Sequence, residues 1–153
     1  MTRVIILDAG PLGLVSNPKA KPETEQATSW IANLLRQGDV VVIPEVADYE
    51  VRRELLRADK QRGIAHLDAL AQSLRYDSIT KEVMRRAAEI WAQARRQGLG
   101  FTDDTRLDAD AILLAHAQLL VRLGDPVIVA TGNIRHLSRF ADARLWQNIH
   151  PQL

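Results

Sequence analysis

The chain has 153 residues, 46% of them hydrophobic, which suits one compact domain with a substantial core. It contains no cysteine, so disulfides, cysteine–zinc sites, iron–sulfur clusters and thiol catalysis are excluded. Twenty Lys and Arg against 19 Asp and Glu leave a net charge of +1, which on its own points to neither nucleic acid nor membrane; 16 of the 20 bases are arginine, the side chain suited to forked contacts with carboxylate or phosphate.

Arg3-Val4-Ile5-Ile6-Leu7-Asp8 reads as a buried parallel strand that ends at a turn, Ala9-Gly10-Pro11. The apolar run is too short for a signal peptide, and no stretch approaches the roughly 18 apolar residues of a membrane span, so a soluble, cytoplasmic protein is expected. Asn17-Pro18-Lys19-Ala20-Lys21-Pro22 reads as a loop. Residues 22–37 predict a helix, with Glu23 and Glu25 in its first turn, Trp30, Ile31, Leu34 and Leu35 at helical spacing, and Gly38 as its stop. Residues 39–43 form a second buried strand, and Pro44 sits where a helix over 44–57 begins. A helix over 64–74 and a short strand over 76–79 follow. Thr80 caps a long helix over 81–97 that stops at Gly98.

Residues 98–107 read as a polar loop, after which Asp108 or Asp110 opens a mostly apolar helix to Leu123. Residues 126–130 are a third buried strand and 144–149 an edge strand. Strands alternate with helices throughout, with no repeat and no linker. The fold class is therefore α/β: a single domain with a central, mostly parallel β-sheet flanked by α-helices on both faces.

Ligands of such sheets bind beyond the carboxyl ends of the strands, where Asp8 and Thr131-Gly132-Asn133 lie. Each polar group there has two readings. Asp8 is either a turn residue or a ligand for a hard cation, since Mg²⁺ takes one or two carboxylates and keeps several waters. Glu50 and Glu54 share a helix face that is either solvated, beside Arg52, Arg53 and Arg57, or turned to a site. Asp108 and Asp110 are either caps of a helix or carboxylates grouped in a partly desolvated pocket that demands a cation. Thr131 and Asn133 form a polar turn or orient water and carboxylates. His116 reads as a core residue rather than a ligand. No phosphate-binding glycine loop, dinucleotide fingerprint or His-Glu-x-x-His spacing occurs.

Four segments in order carry a family resemblance. They are Ile5-Ile6-Leu7-Asp8-Ala9-Gly10; Ile43-Pro44 with Tyr49-Glu50-Val51; Leu107-Asp108-Ala109-Asp110-Ala111-Ile112-Leu113-Leu114-Ala115; and Val129-Ala130-Thr131-Gly132-Asn133-Ile134-Arg135-His136-Leu137. Together they resemble the PIN-domain ribonucleases, and within them the VapC-like toxins of bacterial toxin–antitoxin pairs. The resemblance spans nearly the whole chain and implies one PIN-like domain over residues 1–153. It makes Asp8, Glu50 and Asp110 the catalytic and metal-binding acids, Asp8 and Asp110 direct ligands and Glu50 a ligand through water, with Asp108 an accessory acid. The family's fourth acid stands two or five residues after the Thr of the last motif, and here those places hold Asn133 and His136. Three acids plus Asn133 would then hold one Mg²⁺ or Mn²⁺, with Thr131 steadying a carboxylate or water.

The implied activity is metal-dependent endoribonuclease hydrolysis of RNA, leaving 5′-phosphate and 3′-hydroxyl ends. The implied partners are RNA, a cognate antitoxin and a second copy of the chain in a homodimer, with no membrane. Arg135 and Arg139, following the last motif, are the candidates for the RNA backbone. Two other readings stand beside this one: a non-catalytic RNA-binding or regulatory relative, because the fourth acid is missing, and an unrelated α/β phosphate-handling protein in which the Asp108/Asp110 segment is plain capping.

Overall fold

The computed structural model describes residues 2–98 and 107–152 in full and the backbone of 104–106. Five strands form one sheet: β1 (Val4–Leu7), β2 (Val40–Pro44), β3 (Arg75–Asp77), β4 (Val127–Thr131) and β5 (Ala143–Leu145). Among the described residues the α-helices are α1 (Ala9–Ser16), α2 (Pro22–Arg36), α3 (Glu45–Arg57), α4 (Gln61–Ser73), α5 (Lys81–Arg96) and α6 (Asp104–Arg122). The strand order is β3-β2-β1-β4-β5, and every pairing is parallel. The three long apolar runs of the sequence become the three central strands, buried on both faces.

Alternation along these strands divides the core into two layers. Ile5, Leu7, Val41, Ile43, Ile128 and Ala130 face α1, α2 and α4, packing with Leu12, Trp30, Leu34 and Leu67. Val4, Ile6, Val42, Val127 and Val129 face α5 and α6, packing with Val83, Ile90, Leu113 and Leu114. Arg3 locks the amino end of the sheet: its guanidinium grips buried Asp39 through two hydrogen bonds of 3.0 and 2.8 Å and donates to the His150 carbonyl at 2.7 Å.

The helix expected over 64–74 begins earlier, at Gln61, and the strand expected over 76–79 spans Arg75–Asp77; three further elements differ for a local reason. The expected turn at Ala9-Gly10-Pro11 is the first turn of α1. Asp8 is its N-cap, accepting the Ala9 N–H at 2.8 Å, and proline is tolerated there because first-turn N–H groups have no partner within the helix. The apolar helix expected to open at Asp108 or Asp110 starts at Asp104, since nothing at 104–107 is a helix breaker; the two acids lie inside α6 rather than at its N-terminus. The polar loop expected over 98–107 lies largely outside the described residues. The edge strand expected over 144–149 stops at Leu145, and Trp146–Asn148 form a 3-10 turn that places the Trp146 ring 5.4 Å from that of Trp30. Leu35, placed on the apolar face of α2 by spacing, is 44% exposed.

Candidate functional site

From β1 the chain moves outward through β2 and β3 on one side, while β4 and β5 extend the other, so strand order reverses between β1 and β4. Parallel sheets open a crevice at the carboxyl end of such a switch point. Register pairs Leu7 with Ala130, and the Asp8 N–H donates to the Ala130 carbonyl at 2.9 Å. This sets Asp8 beside Thr131 across the mouth of the crevice. The Asp8 carboxylate is held on both oxygens: Oδ1 by the Ala9 N–H, Oδ2 by the Thr131 hydroxyl at 2.8 Å. Thr131 Oγ1 in turn accepts the Asn133 N–H at 3.1 Å, so the turn after β4 fixes the hydroxyl that fixes the acid.

Asp110 reaches the same place from the other layer. Leu113, Leu114 and Ala117 bury the next turns of α6 under Ile6 and Val129, which brings Asp110, itself 4% exposed, to the crevice. Arg135 completes the group. Its Nη2 donates to Asp110 Oδ1 at 2.8 Å and stands 3.8 Å from Asp8 Oδ2, so one guanidinium nitrogen serves both carboxylates. Arg135 lies in the left-handed region (φ 48°), a conformation that costs a non-glycine residue about 1–2 kcal/mol. Among the described residues its buried Nε has no hydrogen-bond partner.

The other expected site residues stand at varying distances from this group. Glu50 is half-buried on α3 and lines a groove of about 810 Å³ with Ala9, Gly10, Gly13 and Lys19, a groove that neither Asp8 nor Asp110 lines. Asp108 is exposed, because residues two apart on a helix point to nearly opposite sides. The Asn133 side chain is exposed and it is the backbone of this residue that meets Thr131; Arg139 is exposed as well. Arg135, expected at the rim as an RNA-backbone contact, instead points inward onto the acids. Among the described residues no three His, Asp or Glu side chains stand close enough together to hold a metal ion. Asp8 and Asp110 nonetheless fit a hard cation: they are oxygen donors, and a cationic nitrogen already lies between them.

A second polar cluster escaped sequence reasoning. Buried Asp48 accepts the Tyr76 hydroxyl at 2.6 Å and the Arg52 Nε–H at 3.1 Å, and Arg52 also pairs with Asp68 at 2.8 Å. Burial, and then the Asp48 carboxylate, push the Tyr76 phenol well above its ordinary range. Next to it Asp77 contacts His116 Nε2 at 3.2 Å and Arg75 Nε at 2.8 Å. Burial works to raise the Asp77 carboxyl, but Arg75 and His116 outweigh it and hold it below the usual carboxylate range. Glu45 Oε1 accepts the Ile79 N–H at 2.8 Å. These contacts tie the carboxyl ends of β2 and β3 together. The only sequence signal was a pair of acids, Glu45 and Asp48, in the first turn of α3.

The sequence model of the PIN domain matches residues 5–140. Among curated proteins nothing matches. Among solved structures, VapBC-1 of nontypeable Haemophilus influenzae is similar with a TM-score of 0.69 at 12% identity, over 95% of this chain and 99% of that one. VapBC2 of Rickettsia felis, bound to a DNA fragment from its promoter, gives 0.65 at 15% identity over 93% and 96%. VapC20 of Mycobacterium tuberculosis, a toxin that cleaves the sarcin–ricin loop, gives 0.63 at 17% identity over 92% and 98%. At these identities the likeness is one of fold.

Proposed function

The chain belongs to the PIN-domain family, and on that premise we propose that it is a divalent-metal-dependent endoribonuclease, the toxin of a toxin–antitoxin pair. The observation that carries this reading is the meeting of Asp8 and Asp110, one from the end of β1 and one from α6, on a single cationic group at the switch point of a parallel sheet. Two buried carboxylates this close repel one another and need a positive charge between them. A bound Mg²⁺ or Mn²⁺ would supply Lewis-acid polarisation of a phosphoryl oxygen and a water of lowered pKa.

The chain's own residues supply the geometry. Thr131 and the first N–H of α1 fix both oxygens of Asp8, so the acid presents a constant face to the crevice. Asp110 is fixed by the burial of α6, and Glu50, on the wall of the adjoining groove, is the third acid, acting through water. Asp108, exposed on α6 and turned away from Asp110, is left as the accessory acid of the family pattern. The substrate is RNA, and hydrolysis breaks one phosphodiester P–O bond by in-line attack of water. Exposed Arg139, just after the last motif, is placed to meet the backbone. The fold relatives named as VapBC support an antitoxin partner, and a homodimer accompanies the toxin reading.

The test is cleavage of RNA with Mg²⁺ or Mn²⁺ by the wild type, Asp8→Ala and Asp110→Ala. Loss of a group worth several kcal/mol at the transition state predicts a fall of about 10³-fold in rate for each. Equal rates for all three proteins refute the assignment. The placement of Arg135 on the acids favours one second reading, a non-catalytic RNA-binding relative, in which RNA binds but the wild type itself cleaves nothing with either metal.

A further inference from the structure

Arg135 stands against both Asp8 and Asp110, and among the described residues its contacts are incomplete. Nη2 meets Asp110 at 2.8 Å, but Asp8 is 3.8 Å away, beyond hydrogen-bond range, and Nε is buried without a partner. A guanidinium built as a permanent structural cation makes forked contacts, as Arg3 does on Asp39 with two bonds of 3.0 and 2.8 Å. Arg135 makes one, from a backbone in the left-handed region. A buried donor left unsatisfied keeps its desolvation cost, so this side chain is held mainly by the charge of the acids.

We propose that Arg135 is a tethered counter-ion that neutralises Asp8 and Asp110 in the metal-free protein and competes with the divalent cation for them. This rests on the reading of Asp8 and Asp110 as metal ligands. Oxygen ligands of Mg²⁺ lie at about 2.0–2.1 Å, which leaves no room for a guanidinium nitrogen on the same carboxylate face, and the two cations repel. Metal entry therefore expels Arg135. The side chain is 20% exposed and its residue lies in the turn after β4, so it already reaches solvent in part. The displaced guanidinium then stands at the rim, where it adds positive charge for an incoming phosphate only once the site is loaded. An arginine here thus makes metal affinity lower and couples loading to the charge of the surface.

The experiment is a titration of chelator-stripped protein with Mn²⁺, followed by the loss of the free-ion paramagnetic resonance signal, alongside thermal melting without RNA. The proteins are wild type, Arg135→Met, Arg135→Lys and Asp110→Asn. Methionine keeps the bulk and the backbone cost of residue 135 while removing its charge. Arg135→Met is expected to bind Mn²⁺ about tenfold or more tightly than wild type, within the usual range for coupling of two binding events. Arg135→Lys falls between them. Without metal Arg135→Met melts below wild type, and saturating Mn²⁺ raises its melting temperature by more than it raises the wild type's. Equal or weaker binding by Arg135→Met, at a site that Asp110→Asn abolishes, overturns the counter-ion while leaving the metal site standing. Binding that is indifferent to Asp110, or absent from every protein, overturns the metal reading and the counter-ion with it.

Discussion

Thr131 is the side chain on which the position of Asp8 depends, and replacing it separates hydroxyl chemistry from packing. In Thr131→Val the donor to Asp8 Oδ2 and the acceptor of the Asn133 N–H both disappear, at a residue only 1% exposed. A hydrogen bond to a charged group contributes about 1.5–3 kcal/mol. The Asn133 N–H lies at an exposed residue and recovers most of its loss from water, and the new methyl returns about 0.8 kcal/mol by burial. The net loss is about 1.5 kcal/mol, a fall in melting temperature of about 3–6 °C for a domain of this size. Thr131→Ser keeps the hydroxyl and loses one buried methyl, about 1 kcal/mol. The two variants diverge in function. Thr131→Val frees Asp8 to rotate, and RNA cleavage is expected to fall about 10–100-fold, the usual cost of losing a group that orients a metal ligand, with a matching rise in the metal concentration for half-maximal rate. Thr131→Ser stays near wild type. Melting by circular dichroism and initial cleavage rates across a metal titration read both quantities. If serine loses as much activity as valine, or valine loses none, the hydroxyl does not position Asp8 and the reasoning fails.

Two further outcomes test the frame around the site. Asp39→Ala removes the forked partner of Arg3 and strands a nearly buried guanidinium, a break that costs about 3 kcal/mol and lowers the melting temperature by about 6–12 °C, while Arg3→Lys, which cannot fork, costs less; unchanged melting of Asp39→Ala would show that the clamp is idle. Tyr76 is the more buried of two tyrosines, and its raised pKa means that the folded protein keeps the phenol proton at pH values where the unfolded chain gives it up. Its contribution to stability is fully present below about pH 10, the ordinary phenol value, and is lost as pH climbs from there toward the folded value. In Tyr49→Phe, ultraviolet titration at alkaline pH should therefore show no phenolate until the protein unfolds, and ionisation near pH 10 in the folded state would contradict the contact with Asp48.

The central sheet was legible because parallel strands covered on both faces announce themselves as continuous apolar runs, and Asp8 and Thr131 at strand ends followed from the rule for such sheets, whereas Asp110 was assigned by the family resemblance. In the fold Thr131 meets Asp8 directly, and Asp8 and Asp110 share the Arg135 guanidinium. What the pattern hid was local geometry. Gly10 and Pro11 signal a turn, yet an aspartate cap and a proline in the first turn are equally compatible with a helix, and the burial of Leu12 and Val15 decided for α1. The early start of α6 changed what Asp108 is: inside the helix it points away from Asp110, a distinction that helical phase makes and proximity in sequence does not. Glu50 was legible as an acid on a helix face, but the groove it lines arises from the packing of α1 against α3 and α4, which no single element encodes.

Arg135 shows why charge must be read by position. The family pattern has an acid two or five residues after Thr131, and its absence suggested one metal ion in place of two, with Arg135 and Arg139 meeting the RNA backbone. In the folded chain the left-handed residue after Ile134 turns the arginine back over the sheet edge, so that the place lacking an acid also gains a base. Both changes act in the same direction. One carboxylate fewer lowers the negative charge that would attract a divalent ion, and on the counter-ion proposal one guanidinium more competes for what remains. A fourth acid beside Asp8 and Asp110 would raise the cost of the metal-free state, because buried like charges without a counter-ion oppose folding. An arginine lowers that cost. If Arg135 is the counter-ion proposed above, the metal-free protein is stable with its acids assembled, and a weaker affinity for the ion would be the consequence of that stability.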